Sequence, residues 1–447
     1  MSTKSKQRNA FMALFTSVKL ALTLLFLLAA TSVIGTVIPQ HEAREFYIQR
    51  YGDNMASLMH LLGVPDMYGA WWFVALLLIF SLNLIVCSLD RIPQVWRIVT
   101  QDNLRTDPQR IERMSLRRSV AWPTMGLEEA ATRMAGLMAK QGWQTARAAS
   151  GEGLLLFAQQ GAWTRFGVYL VHLSILVILA GALIGSTFGF KGNIMVPESK
   201  AADFIFAFHT GEKIPLGFTV RCDSFAIAYY PTGMPKEYRS ELSVIEDGRT
   251  VLQRSIIVNE PLTYRGITFY QASYQPYKDF IITVTNRKSG ASERLLVSPG
   301  KELRWEEEGV RLGILNLEGR GEVVQRAKVW FGDEHGEPSI FWLPPGQEAI
   351  VQRPEAEYSL TIKQLYATGL QVTKDPGVWW VYGGCGLMLF GLTVAFFLSH
   401  RRIWVLLRPG EQGINVLFAG NSNKNKLSFD KEFSRLVAQL PQDGGKA

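Results

Sequence analysis

From Phe166 to Phe190 the chain carries no fixed charge, running Val168-Tyr-Leu-Val-His172-Leu-Ser-Ile-Leu-Val-Ile-Leu-Ala-Gly181-Ala-Leu-Ile-Gly185 through its centre. Such a run is long enough to cross a ~30 Å hydrocarbon layer as a single helix. Its one ionisable side chain of interest is His172. An imidazole in hydrocarbon costs free energy unless it finds a partner. His172 is therefore either hydrogen-bonded to a neighbouring helix or a ligand for something held in the membrane.

Three further apolar runs accompany it, so spans are predicted near residues 17–38, 71–89, 166–188 and 378–399. The first follows a basic N-terminus and stops at Pro39; it lacks a small-residue cleavage site and reads as a retained helix. Trp71-Trp72 and Trp379-Trp380 stand at helix starts, where interface anchoring explains them. Asn83 within the second run is an expected interhelical hydrogen bonder. The basic N-terminus, the arginine-rich segment 91–165 and Arg401-Arg402 all fall on one side of this arrangement, which the charge rule makes cytoplasmic. Both termini should be inside and the long polar stretch Lys191–Pro376 outside.

The water-facing parts divide accordingly. Residues 1–90 hold the basic segment and the first two helices, and 91–165 read as a small cytoplasmic α+β module. That module has a strand at Leu116–Trp122, an amphipathic helix at Leu127–Gln141, and strands at Trp143–Ala148 and Leu154–Gln159. After the third helix (166–190), residues 191–377 alternate in short segments such as Phe218–Cys222, Ser240–Ile245 and Phe280–Thr285, separated by turn pairs. This pattern predicts a large all-β extracytoplasmic domain, a sandwich or barrel. The fourth helix takes 378–400, and the polar tail 401–447 is expected to be partly disordered.

A net charge of +8 over 447 residues would suit nucleic-acid binding were the excess not concentrated beside the apolar runs, where topology accounts for it. No nucleic-acid partner is expected; the bilayer is. The three cysteines, Cys87, Cys222 and Cys385, form no CxxC pair, which argues against a disulfide framework, a thiolate zinc site and a dithiol redox centre.

Several stretches together resemble the ResB family of cytochrome c biogenesis proteins. They are Gly35-Thr-Val-Ile-Pro-Gln40, Ser81-Leu-Asn83 through Arg91, His172 to Gly192 with Phe188-Gly-Phe-Lys-Gly192, Tyr238 to Val244, and Val258 to Tyr274. The resemblance spans nearly the whole chain to about Arg402. It implies a bacterial inner-membrane subunit of a complex that carries haem outward and supports its attachment to Cys-x-x-Cys-His apocytochromes. The implied partners are a polytopic ResC-like haem-handling protein, apocytochrome c and a thioredoxin-like thiol reductant. It also implies that His172 is an axial ligand to haem b within the membrane, the second ligand coming from the ResC-like partner. The chain would then be a non-catalytic or co-catalytic part of a haem lyase. A haem-free membrane-anchored scaffold and a b-type electron carrier are the competing classes; the second would need two well-placed histidines within the helices.

Among the other histidines, His41 and His60 fall in the first loop, His209 and His335 beside turns of the β region, and His400 beside Arg401-Arg402 reads as an interface residue that snorkels. Arg165 lies seven positions before His172 on nearly the same helix face, ~10 Å along the axis. It either pairs with a haem propionate or snorkels beside Trp163. Gly181 and Gly185 lie away from His172 and should form a seam for another helix.

Overall fold

The computed structural model describes residues 10–122, 126–208, 210–232, 234–320, 323–333, 336–410 and 413–438. His209 and His335 lie outside the described residues. The chain divides into two compact units, Met1–Leu183 with Gly377–Ala447, and Ile184–Pro376. Among the described residues, four helices are long and apolar enough to cross a membrane and a large β domain accompanies them, in agreement with the fold class read from the sequence.

In the first unit the apolar helices are Val18–Val37, Trp71–Thr100, Gly167–Phe188 and Val378–Phe397. The second is longer than the sequence predicts: it continues past Asp90-Arg91 and through Pro93 to Thr100. Charges mark where an apolar run ends, not where helical hydrogen bonding ends. The third helix packs on the fourth through small residues at heptad spacing. Gly167, Ser174 and Gly181 are buried on the one, and Gly384 and Gly391 on the other. A Cβ built at Gly181 would lie 2.9 Å from Trp380 Cβ and 3.0 Å from the Gly377 carbonyl, and one at Gly391 would lie 2.9 Å from Val171 N. Only glycine lets these backbones come so close. Gly181 thus faces the fourth helix as expected, whereas Gly185 meets the side chain of Asp375, just ahead of that helix.

The tail corrects the sequence reading most. Residues 401–447 were expected to be partly disordered, yet Arg401–Gly410 and Gly413–Ser422 are strands and Lys426–Ala438 is a helix. They belong to a five-stranded antiparallel sheet ordered Leu116–Trp122, Gly413–Ser422, Arg401–Gly410, Gly153–Gln160, Thr145–Ser150. The tail therefore supplies two inner strands. Ile403, Val405 and Leu407 pack on one face with the helices Leu127–Lys140 and Lys426–Ala438, and Trp404 and Leu406 on the other with Ile111. A strand covered on both faces reads as a continuous apolar run rather than an alternating one, which Ile403–Leu407 is.

The second unit is antiparallel β throughout its described pairings. One sheet has Ser292–Val297 at one edge and Arg249–Ile256 at the other; a second, four-stranded sheet starts at Glu302–Trp305 and ends at Ser339–Leu343. The segments read as separate short strands merge into long ones. Ile267–Asn286 is continuous and bends at register shifts between Gln271 and Ser273 and between Pro276 and Phe280. Pro276 breaks the alternation in sequence without ending the strand, because the bulge absorbs it. Within Val258–Tyr274, Leu262 and Phe269 are fully buried across a hairpin whose turn, Arg265-Gly266, has positive φ at both residues, while Val258 and Tyr270 are exposed. Cys222, fully buried in the same core and free, has its thiol pushed up to about 12, chiefly by burial and then by Glu198 and Asp223.

Candidate functional site

A cavity of about 490 Å3 lies within the first unit, among the first three apolar helices. That volume suits a cofactor or drug-sized ligand. The second helix contributes Leu84, Ser88, Arg91 and Val95, and the third contributes Val168, Tyr169 and His172, each a stripe at helical spacing. Val18 and Ala21 close it from the first helix, and Asn423-Lys424 of the tail from another side. Asn83 lies at the wall and ties the second helix to the short helix Ala10–Phe15 that precedes the first, its Nδ2 donating to the Phe15 carbonyl at 2.9 Å.

His172 is half-buried in this wall. Its Nδ1 is 2.8 Å from the Ser88 hydroxyl, and Tyr169 packs edge-on against the ring at 6.2 Å. The bond to Ser88 leaves Nε2 as the nitrogen with no hydrogen bond among the described residues. That division of the two nitrogens is the one a metal-ligating imidazole shows when a second group fixes its ring plane. The sequence leaves open whether His172 bonds a neighbouring helix or holds a ligand; the geometry allows both at once, through different nitrogens.

Arg165, Arg91 and Lys424 also line the cavity, and no aspartate or glutamate does among the described residues. The structure brings Arg165 and His172 to one wall, as their spacing predicts. Arg165 also has a partner of its own, its Nε donating to His400 Nδ1 at 3.3 Å. His400, expected at the interface, is instead fully buried. Its backbone N–H donates to Asn423 Oδ1 at 2.8 Å, and its Nε2 is 3.1 Å from Gln159 Oε1. A guanidinium can only donate, so Nδ1 accepts and the proton sits on Nε2. Burial first, then Arg402 and Arg165, push the imidazole down to about 4, so it is neutral at physiological pH. The correction has a plain cause: the tail folds back as strands and covers His400.

His41 and His60 lie in the first loop, away from this cavity; His41 is 4.0 Å from Asp66 and His60 packs edge-on to Tyr47 at 5.6 Å. Lys424 and Asn423, absent from the sequence reading, have no signal of their own there. Only the Ile403–Leu407 run, which announces a buried strand, could have brought the tail back to the helices.

The ResB-like family model matches residues 18–314 and 322–434, nearly the whole chain. The chain belongs to the ResB-like family. A relative in Synechococcus sp. (strain JA-3-3Ab), named cytochrome c biogenesis protein CcsB, is 30% identical over 97% of this chain and 90% of its own length. A protein of the same name in Gloeobacter violaceus is 29% identical over 97% of this chain and 91% of its own. The matched region of this ResB-like protein includes all four apolar helices, both strands of the tail, and every residue of the cavity wall.

Proposed function

We propose that this ResB-like protein acts in cytochrome c maturation, as a membrane subunit that holds haem b on its passage across the bacterial inner membrane and supports its attachment to apocytochrome c. Family membership and the relatives' shared name support the maturation role. One observation carries the haem reading: His172 in an apolar helix, its Nδ1 engaged by Ser88 and its Nε2 left for a ligand in a cavity of cofactor size. The residues present fit the group, since apolar walls suit a porphyrin and the three cations suit its two carboxylates.

Bound haem would supply an iron that imidazole nitrogens can ligate. The chain's own residues do the rest. His172 presents Nε2, Ser88 holds the ring plane, Arg165 offers a guanidinium to a propionate, and the apolar helices exclude water. Within the helices of this chain that could cross a membrane, among the described residues, His172 is the one histidine, so any further ligand to the iron would come from a ResC-like partner. A thioredoxin-like protein keeps the apocytochrome thiols reduced. The arginine asymmetry supports both termini and the five-stranded module on the cytoplasmic side, with the β unit outside to meet the apocytochrome.

The test is the haem content of the full-length chain purified with its membrane partner, read alongside c-type cytochrome levels in cells. Haem that co-purifies and is lost in His172→Ala, with loss of c-type cytochromes, is the expected result. Absence of haem from every preparation, with cytochromes maturing normally, would instead leave a scaffold. Reporter fusions at Gly151 and Gly290 should read inside and outside; the opposite pair would overturn the orientation.

A further inference from the structure

Many arginines of this chain meet an acid; Arg401, for instance, pairs with Glu432. The cations around the cavity do not. Arg165 donates to a neutral imidazole, Lys424 donates to the Ala395 carbonyl, and Arg91 is tied to no carboxylate among the described residues. Nor does Arg402, beside His400, meet one; its Nε is buried without a hydrogen bond, and its guanidinium lies over Trp404 at 5.3 Å. Positive charge is thus gathered at the helix ends with neutral partners only, which is costly unless an anion completes it.

We infer that Arg91, Arg165 and Lys424 form an acid-binding mouth on the cavity beside His172, and that His400 is a positioning residue which fixes the Arg165 guanidinium without cancelling its charge. The ligand that fits is an apolar molecule bearing two carboxylates; resting on the haem reading, these are the porphyrin propionates. A carboxylate in place of His400 would orient Arg165 equally well but neutralise it. An imidazole kept neutral by burial orients it through Nε alone and leaves its terminal amino groups uncommitted. The tail is part of the device. Asn423 holds His400 at both backbone groups, accepting from its N–H and donating to its carbonyl at 3.2 Å, and so places Lys424 at the cavity.

The experiment uses the full-length chain in phosphatidylcholine nanodiscs, titrated with metal-free protoporphyrin IX and with its dimethyl ester, so that iron coordination plays no part. The diacid should bind about tenfold tighter than the diester, as charge-assisted contacts do. Arg165→Gln, Arg91→Gln and Lys424→Gln should each narrow that gap. His400→Gln, which keeps an acceptor, should preserve the gap. His400→Phe and His400→Glu should narrow it, the second although a merely structural His400 would tolerate a new salt bridge to Arg165. Equal binding of diacid and diester by the wild type, or a full gap in His400→Glu, would overturn the mouth and leave the haem reading standing. Failure of both porphyrins to bind would overturn this inference and leave the haem reading to rest on iron coordination at His172 alone. Phosphatidylglycerol nanodiscs that abolish the preference for the diacid would make the mouth a lipid-headgroup site and overturn the porphyrin assignment.

Discussion

The Ser88 hydroxyl lies 2.8 Å from Nδ1 of His172 and joins the second apolar helix to the third. Between two helices in hydrocarbon such a bond fixes both the rotation of the imidazole and the nitrogen it offers. Hydrogen-bond partners of metal-bound histidines commonly change metal affinity by about 10–100-fold. Ser88→Ala should therefore weaken haem binding about tenfold without abolishing it, and Ser88→Thr should restore most of the loss. Haem titration of the three proteins checks this; equal affinities would show that the bond is only structural.

The glycine seam and the histidine make separate demands on the third helix. A leucine at Gly181 or Gly384 has no room beside the facing helix: a Cβ alone would lie 3.0 Å from the Gly377 carbonyl at the first and 3.1 Å from the Ile178 backbone nitrogen at the second. Overpacking of this kind costs about 1–3 kcal/mol or more. Gly181→Leu and Gly384→Leu should lower the unfolding midpoint in detergent, while His172→Ala should not. Equal losses in the two kinds of variant would refute the division.

Deleting residues 401–447 should unfold the module at 91–165, because the tail supplies inner strands of its sheet. Limited trypsin digestion of membranes reads the outcome directly. Rapid cleavage among the arginines of 105–147 is expected in the deletion and resistance in the full chain; equal resistance would mean the remaining strands suffice.

His400 gives a pH dependence with a definite sign. Its folded value of about 4 lies below the ordinary 6.5, so between those values the unfolded chain binds the extra proton. The stability this neutral histidine contributes is complete above pH 6.5 and drains away as pH falls toward 4. The whole loss across that interval is on the order of 3 kcal/mol. His400→Gln should flatten that part of the curve. Unfolding midpoints of the two proteins at pH 7 and pH 4.5 test it, and parallel slopes would contradict it.

Much of this is legible in the sequence, and for physical reasons. The apolar helices announce themselves because hydrocarbon demands long uncharged runs. Arg165 and His172 share a wall because helical spacing says so. Asn83 bonds backbone just ahead of the first apolar helix, at Phe15, because an amide in hydrocarbon must bond something. The tail is not legible in the same way, because Arg401-Arg402 and the polar residues after Leu407 outweigh the short apolar run between them. With the tail go His400, Asn423 and Lys424, whose roles depend on contacts far apart in sequence. The seven-residue repeat Gly377, Gly384, Gly391 is present in the sequence, but the seam shows itself there only from the Gly181 side. Strand mergers are hidden because Pro276 looks like an end when read locally.

The central claim is that His172 binds haem iron through Nε2. The most direct measurement is the visible absorption spectrum of His172→Ala, purified as the full-length chain with its partner and then supplied with free imidazole. The account predicts loss of the haem bands in the variant and their partial return as imidazole fills the vacated position, with wild-type protein unchanged by the same addition. An unaltered spectrum and full haem content in His172→Ala without imidazole would contradict it.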